Sequence, residues 1–182
     1  MTSGDEVFTF LDDEVLVDGM IVSFRKGRFD GPEGEFHRDI VRHPGAVSVV
    51  AVDGDDVFLV RQYRAPIDDW LWEIPAGKKD VVGEAPELTA ERELAEEVGM
   101  RAGRLEHLID LHHSPGFCDE FQNVFLATEL TDVGRRVDSI EEQYMEVRRV
   151  RFAEAIAMAT DGRITDGKSI IGILAAARRL GR

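Results

Sequence analysis

Glutamates are concentrated between Gly83 and Met100, in the segment GEAPELTAERELAEEVGM. Residues three and four positions apart on an α-helix share a face, so we expect Glu93, Glu96 and Glu97 to point in one direction. Like charges this close destabilise a helix by roughly a few tenths of a kcal/mol per pair, and negative charge near its C-terminus is unfavourable. Carboxylate oxygens bind hard cations such as Mg²⁺ and Mn²⁺. The cluster is therefore a candidate metal site, with an ordinary solvated helix face as the alternative.

The helix that carries these glutamates is predicted to run from about Pro86 to Val98. Proline is tolerated in the first turn of a helix, and Gly99 is a typical residue just after a helix end. Leu88, Leu94 and Val98 are expected to form the buried stripe, on a different face from the glutamates.

The rest of the chain is predicted to contain mainly strands, followed by helices at the C-terminal end. Two β-branched runs flank Asp53-Gly54, which is a strong signal for a β-hairpin. This order of elements predicts an α+β fold with a mixed β-sheet and helices on its faces. About the first 40 residues are expected to form a small sheet of their own. Further predicted strands and helices lie in the segments 13–31, 35–42, 70–77, 105–111, 122–130, 144–152, 152–160 and 169–180.

Composition narrows the classes of function. The chain has 182 residues, about one domain, and a net charge of −14. Such an acidic chain is a poor candidate for binding nucleic acid or an anionic membrane. No stretch approaches the roughly 20 apolar residues of a membrane span, and the N-terminus lacks a signal-peptide pattern. The single cysteine, Cys118, cannot form an internal disulfide. We expect a cytoplasmic protein that acts on a small molecule, with cations required if that molecule carries phosphate.

The order of residue types around the helix resembles the signature of the Nudix hydrolases. That signature is a glycine, five residues, a glutamate, seven residues, and then Arg-Glu-aliphatic-x-Glu-Glu-x-Gly-aliphatic. Gly77, Glu84 and the run from Arg92 to Met100 match it, except that six residues separate Gly77 from Glu84. The extra residue lies in a loop, so the spacing of the helical glutamates is unchanged. The resemblance implies that Arg92 pairs with a nearby carboxylate such as that of Glu84.

The resemblance implies an α/β/α sandwich that binds divalent cations and cleaves a nucleoside diphosphate linked to another group. Carried over to this sequence, it implies that Glu93 and Glu97 are the principal metal ligands. Glu96 is expected to support them, and the backbone carbonyl of Ala76 is expected to be a further ligand. Two or three Mg²⁺ ions, or Mn²⁺ in their place, are expected at the site.

The flanking segments resemble one branch of this family, the ADP-ribose pyrophosphatases. The segments QYR and WEIPAG match that branch, as does a proline past the signature, Pro115. The resemblance implies that Arg64 contacts the diphosphate, with a surface ion pair as the alternative, and that Glu73 lies near the site. It also implies that the loop with Pro115 and Gly116 borders the terminal ribose, the alternative being a simple tight turn.

The catalytic base implied by this branch is a glutamate on a mobile loop outside the signature. The matching segment is SIEEQYMEV, residues 139–147, where Glu142 is favoured over Glu141. Ordinary solvated charge on a loop is the alternative interpretation of both residues. A base located there could swing over the metal site.

The branch also implies a homodimer whose subunits exchange their N-terminal strands. We therefore divide the chain into an N-terminal β segment, residues 1–42, expected to mediate dimerisation, and a Nudix hydrolase domain, residues 43–182. Phe29, Phe36 and Arg38 would contribute to the adenosine pocket of the second subunit.

Taken together, the sequence predicts metal-dependent hydrolysis of ADP-ribose to AMP and ribose 5-phosphate. One alternative is a pyrophosphatase for another nucleoside diphosphate derivative, such as a nucleotide sugar or NADH. The other is a non-catalytic Nudix-like module that binds a ligand. A module that had lost hydrolysis would be expected to have lost signature glutamates, and here they are all present.

Overall fold

The computed structural model describes residues 7–135 and 143–182. The two candidates for the catalytic base, Glu141 and Glu142, lie outside the described residues. The described chain divides into two compact units. The smaller unit comprises residues 7–45 and 112–121, and the larger one comprises residues 46–111 and the described residues from 122 onward.

The smaller unit is built on an antiparallel sheet of β1 (Thr9–Asp18), β2 (Ser23–Asp30) and β3 (Phe36–Arg42), in that order. Asp13 on β1 lies 2.8 Å from the guanidinium of Arg42 on β3, so the two outer strands are also joined across β2. The predicted small N-terminal antiparallel sheet is confirmed. Its role in dimerisation, and the boundary after residue 42, stay predictions.

The larger unit contains a mixed sheet. Within its described residues the strand order is β10-β5-β4-β9-β8, with β6 paired to β5 and β7 paired to β4. The pairing of β4 with β9 is parallel, whereas β4 with β5 is antiparallel. Gly54, with φ 61°, lies in the tight turn between β4 and β5, at the predicted hairpin. The strands are β4 (Ala46–Asp53), β5 (Asp56–Arg64), β6 (Asp69–Glu73), β7 (Ala76–Lys78), β8 (Met100–His112), β9 (Phe121–Asp132) and β10 (Glu146–Arg151).

Helices cover both faces of this sheet. The α1 helix (Pro86–Glu93) packs on the face lined by Val47, and the α2 (Phe152–Asp161) and α3 (Gly167–Leu180) helices pack on the face lined by Val50. Successive residues of a strand point to opposite faces, so β4, which is buried along all of its length except Asp53, serves two hydrophobic cores at once. The predicted sandwich with a mixed sheet is therefore confirmed. No helix of the described ranges is long and apolar enough to cross a membrane.

The glutamate-bearing segment is helical over the predicted length but changes its winding. It is α-helical to the end of α1, continues as a π-helical turn over Leu94–Val98, and stops at Gly99, whose φ is 77°. A π-helical turn is wider than an α-helical one and frequently marks a functional site. Here that turn carries Glu96 and Glu97.

The buried stripe of this helix differs from the prediction. Leu94 and Val98 are buried, but Leu88 is 56% exposed, so its predicted burial was wrong. The third buried apolar position is Ala90, which lies four residues before Leu94. The 90–94–98 spacing keeps the stripe on one side of the helix, whereas Leu88 lies six residues from Leu94, away from that side.

Candidate active site

The helix end is fixed to the strand β7 through the carboxylates of Glu93 and Glu97. Glu97 Oε2 accepts a hydrogen bond of 2.9 Å from the backbone N–H of Ala76. The carboxylate of Glu93 lies over Gly77, where an added Cβ atom would come within 1.8 Å of Glu93 Cδ. Gly77 is therefore required for space. The fold thereby brings Ala76 on β7 together with Glu93 and Glu97, which lie about one helical turn apart near the end of the helix.

Arg92 forms ion pairs with several carboxylates of this region, including that of Glu93. Its NH1 lies 2.8 Å from Glu93 Oε1 and 3.1 Å from Glu96 Oε2. Its NH2 lies 3.4 Å from Glu84 Oε2, which also accepts a hydrogen bond of 2.8 Å from the hydroxyl of Thr89. The pairing of Arg92 with Glu84 expected from the sequence is present. The guanidinium therefore links the loop before α1 to the acidic side chains at the end of the helix.

The environment of these carboxylates suits a divalent cation. Burial raises the pKa of Glu97 to about 8, although the hydrogen bond from Ala76 favours its anion. Burial also raises the pKa of Glu93, against the opposing charge of Arg92. A buried carboxylate is stabilised as an anion when a cation binds it, and hard divalent cations prefer carboxylate and carbonyl oxygens. The donor set therefore fits Mg²⁺ or Mn²⁺.

The acidic side chains are not arranged as a complete ligand shell. Nowhere in residues 7–135 or 143–182 do three or more histidine, cysteine or acidic side chains stand together as a metal-binding group. Glu93 and Glu96 are instead joined through Arg92, while Glu97 is turned toward Ala76. The three glutamates were predicted to point in one direction, but they contact different groups: Glu93 and Glu96 contact Arg92, and Glu97 contacts the backbone of β7.

A second group of charges lies at the ends of β5 and β6. Arg64 donates through Nε to Glu73 Oε1 at 2.7 Å and through NH2 to Glu73 Oε2 at 2.6 Å. Glu73 is completely buried, whereas the side chain of Arg64 is 40% exposed. Arg64 therefore forms an ion pair with a buried carboxylate, which differs from the surface ion pair considered as the alternative, and its contact with the diphosphate stays a prediction. The third nitrogen of the guanidinium, NH1, takes no part in this bidentate pair.

Sequence reasoning missed the residues of α3 that complete this second group. Lys168, whose side chain is 8% exposed, donates to Glu73 and lies 2.9 Å from Asp166 Oδ1. Asp166 caps the helix by accepting a hydrogen bond of 3.0 Å from the backbone N–H of Ser169. The available signals were an aspartate three residues before a serine, typical of an N-cap, and a lysine at the unfavourable end of a helix.

The remaining predicted substrate residues lie in the smaller unit. Arg38, Pro115 and Gly116 line one cavity of about 320 Å³ together with Phe29. The rings of Phe29 and Phe36 are stacked with centroids 5.5 Å apart, and the guanidinium carbon of Arg38 lies 4.6 Å from the centroid of the Phe36 ring. Aromatic faces and a cation are groups that can bind a base or a phosphate.

The loop that carries Pro115 is held to β3 within the same unit. Asp119 Oδ2 lies 3.0 Å from Arg42 NH1, and Asp119 Oδ1 accepts a hydrogen bond of 2.8 Å from the backbone N–H of His43. The backbone N–H of Val41 donates to the carbonyl of Phe117 at 2.7 Å. The position of Pro115 and Gly116 is therefore set by bonds that fix both strand and loop.

Comparison with known proteins decides the family. The model of the NUDIX domain matches residues 42–170, well over half of the chain. The chain belongs to the Nudix family. An ADP-ribose pyrophosphatase of Mycobacterium tuberculosis is 42% identical over 170 residues, which cover 92% of this Nudix chain and 82% of that protein. An ADP-ribose pyrophosphatase of Bacillus subtilis is 37% identical over 162 residues, 88% of this chain and 87% of that protein.

A solved structure supports the fold independently. The crystal structure of an ADP compounds hydrolase superposes with a TM-score of 0.81, covering 99% of this Nudix chain and 97% of that one at 21% identity. The match to the NUDIX domain and the two relatives confirm the family resemblance inferred from the signature. A divalent metal is a general requirement of Nudix hydrolases. The roles of the individual site residues stay predictions.

Proposed function

We propose that this Nudix chain hydrolyses the diphosphate bond of ADP-ribose to give AMP and ribose 5-phosphate. The observation that carries the proposal is its similarity, over nearly its whole length, to two ADP-ribose pyrophosphatases. The local geometry supports it, because Glu93 and Glu97 meet at β7 in the same unit as the cations Arg64 and Lys168.

We propose Mg²⁺ as the metal, with Mn²⁺ as a substitute and two or three ions per site. Glu93 and Glu97 would hold them, with Glu96 and the backbone carbonyl of Ala76 as further ligands. When bound, the cations would neutralise the diphosphate, which a chain of net charge −14 would otherwise repel, and would make the attacking water more acidic. Arg92 would keep Glu93 and Glu96 at the helix end between turnovers.

Arg64 would bind the diphosphate through NH1. Its other two donor positions are held by Glu73, so the plane of the guanidinium is fixed before substrate arrives. Glu73 is buried and fully engaged by cations, and it would act by orienting Arg64. The positive charge of Arg64 would offset charge on the phosphates equally in the bound substrate and in the transition state.

Glu142 would be the general base, with Glu141 as the second candidate. The base removes a proton from a water molecule that attacks one phosphorus atom in line. The bond between that phosphorus and the bridging oxygen then breaks, and the two phosphates leave on AMP and on ribose 5-phosphate.

We also propose a homodimer in which residues 1–42 mediate dimerisation and residues 43–182 form the hydrolase domain. The proposal is supported by large apolar side chains that β1 leaves exposed, among them Phe10, Val15 and Val17. In it, Arg38 would serve the adenosine pocket of the second subunit and the loop of Pro115 and Gly116 would border the terminal ribose. Sedimentation at several protein concentrations measures the association state, and a monomer throughout would contradict the dimer.

We place the enzyme in the cytoplasm, without nucleic-acid or membrane partners. The acidic charge and the single cysteine support this placement. Fractionation of the native host with an antibody against the chain tests it, and recovery in a membrane or extracellular fraction would contradict it.

The test of the activity is incubation with ADP-ribose, nucleotide sugars and NADH, with and without Mg²⁺, and identification of the products. We expect AMP and ribose 5-phosphate from ADP-ribose only when metal is present. Metal-dependent turnover of another compound alone would refute the substrate, and turnover of none would favour a ligand-binding module.

A further inference from the structure

Lys168 stands where a lysine is unfavourable for the helix that carries it. It lies in the first turn of α3, where the helix dipole repels a positive charge. Its side chain is 8% exposed, so its ammonium is also largely removed from water. A residue that served only to start the helix would gain from being neutral. The charge therefore has to be explained by the groups that it contacts.

Those groups connect α3 to both functional parts of the larger unit. Lys168 donates to the carboxylate of Glu73 that also receives two hydrogen bonds from Arg64. The next residue, Ser169, accepts a hydrogen bond of 2.8 Å from the backbone N–H of Ile74 through its hydroxyl. The start of α3 thus holds the side chain of Glu73 and the backbone that follows it. Two residues after Ile74, the N–H of Ala76 binds Glu97.

The cluster formed by Arg64, Glu73, Asp166 and Lys168 has as many positive as negative side chains, and their ion pairs hold them in place. Glu73 and Asp166 contribute two negative charges, and Arg64 and Lys168 contribute two positive charges. Without Lys168, the cation held by Asp166 is gone, and Glu73 keeps a single cation. A fully buried carboxylate requires cations to offset its desolvation, so Glu73 would then depend on Arg64 alone. The orientation of the Arg64 guanidinium, now set by its two hydrogen bonds to Glu73, would change.

We propose that Lys168 is a positioning residue that holds Glu73 in the orientation in which Arg64 presents NH1 to the diphosphate. This inference rests on the proposed function, because it requires a diphosphate substrate. It assigns Lys168 an effect on substrate binding, exerted through Glu73 and Arg64, and no contact with the reacting atoms.

The first test compares Lys168→Met with Lys168→Arg. The methionine variant removes the charge, and we expect the KM for ADP-ribose to rise about tenfold with a change in kcat of about twofold or less, as for lost uniform binding. Lys168→Arg should recover at least half of that loss. Calorimetry with an ADP-ribose analogue that has a methylene group between the phosphorus atoms should show the same loss of affinity. Arg178→Met, which removes a positive charge from an exposed position of the last turn of α3, is the matched control and should keep the wild-type KM.

The second test separates positioning from a merely structural role. If Lys168 acts through Arg64, adding Lys168→Met to Arg64→Met should raise KM by no more than about twofold over Arg64→Met alone. Circular dichroism shows whether Lys168→Met folds. If it does not, the double variant Glu73→Gln, Lys168→Met is used instead, because it removes both buried charges of the pair. Its KM is measured with and without Arg64→Met and compared with the KM of Arg64→Met alone. Losses that multiply, or an unchanged KM in the single variant, would overturn the inference while the wild type remains active. Absence of ADP-ribose hydrolysis by the wild type would overturn the proposed function and this inference with it.

Discussion

Two groups of buried and half-buried carboxylates in the larger unit are stabilised in opposite ways. In the part of the chain that the structure describes, Arg92 forms the ion pairs of the acidic face, which consists of Glu93, Glu96 and Glu97. Burial raises the pKa of Glu97 in this face to about 8. In the charge-balanced cluster of Arg64, Glu73, Asp166 and Lys168, burial alone would also raise the pKa of Asp166. There the charge of Lys168 and hydrogen bonds from Ser169 outweigh burial, and the pKa of Asp166 is lowered.

The difference separates a group that keeps excess negative charge from a group whose charges are balanced by protein side chains. The charge-balanced cluster satisfies its ions with protein groups, so its contribution is geometric. The acidic face keeps excess negative charge at a place where a helix alone would not favour it. The segment from β6 to β7 connects the two groups. Glu73 at the end of β6 belongs to the charge-balanced cluster, and the backbone N–H of Ala76 on β7 binds Glu97 of the acidic face. Substitutions that distinguish charge from geometry should therefore act differently on the two groups.

The largest effect is expected from Glu97→Gln. It removes one anionic ligand, and loss of metal stabilisation worth several kcal/mol would lower kcat on the order of a thousandfold or more. The amide can still accept the hydrogen bond from Ala76, so circular dichroism should show an intact fold. Glu91→Gln, the same change at an exposed position of the helix outside the signature, is the control and should keep wild-type kcat. Retained activity in the Glu97→Gln variant would exclude Glu97 as a principal ligand.

The next effect concerns a residue that belongs to neither group. Glu142→Gln should lower kcat by about 10²–10⁴-fold, the usual contribution of a general base, and leave the half-saturating Mg²⁺ concentration unchanged. Glu141→Gln serves as the neighbouring control, with a much smaller loss expected in steady-state kinetics. If the two variants exchange these effects, Glu141 is the base, and full activity in both would place the base elsewhere.

A smaller effect is expected from adding one carbon beneath the acidic face. In Gly77→Ala the new Cβ atom would lie 1.8 Å from the present position of Glu93 Cδ, so the carboxylate of Glu93 must move. We expect the half-saturating Mg²⁺ concentration to rise about 10–100-fold, as when ligand orientation is disturbed. Gly167→Ala, whose Cβ meets no atom within 4 Å, is the matched control. Equal metal dependence of the two variants would contradict the proposed position of Glu93 in the metal site.

The sequence predicted the acidic face better than the charge-balanced cluster for a physical reason. Glu93 and Glu97 are close in sequence, and helical periodicity is enough to place them on one side. The hairpin at Asp53-Gly54 and the helix stop at Gly99 are equally local signals, and both were predicted. The contact of Lys168 with Glu73 joins residues 95 positions apart, and no local pattern encodes such a pair.

Burial was the other property that local patterns predicted poorly. The side chain of Leu88 is as apolar as that of Leu94, yet it is exposed, because Ala90 lies nearer the sheet on the same helix. Which turn of a helix touches the sheet depends on how the helix is docked. That docking here includes the close approach of Glu93 to Gly77, and the sequence shows the glycine without showing what lies against it.

The last prediction concerns pH, where the two groups should differ in sign. Glu97 has a folded pKa of about 8 against a usual value of 4.5, so the folded state binds its proton more tightly than the unfolded state does. Its contribution to stability is complete below pH 4.5 and is lost as pH rises toward 8, with a slope of at most about 1.4 kcal/mol per pH unit. Asp166 has a lowered pKa, so its contribution is lost only as pH falls below its usual range.

Urea unfolding in the presence of a chelator measures this difference. The free energy of unfolding of the wild type minus that of Glu97→Gln should fall between about pH 5 and pH 8, because the amide does not titrate. Saturating Mg²⁺ should flatten the decline, since a cation at the acidic face stabilises the anion that burial disfavours. If this difference in the free energy of unfolding did not depend on pH in the absence of metal, protein groups would already balance the charge of Glu97. The contrast between the two groups would then disappear.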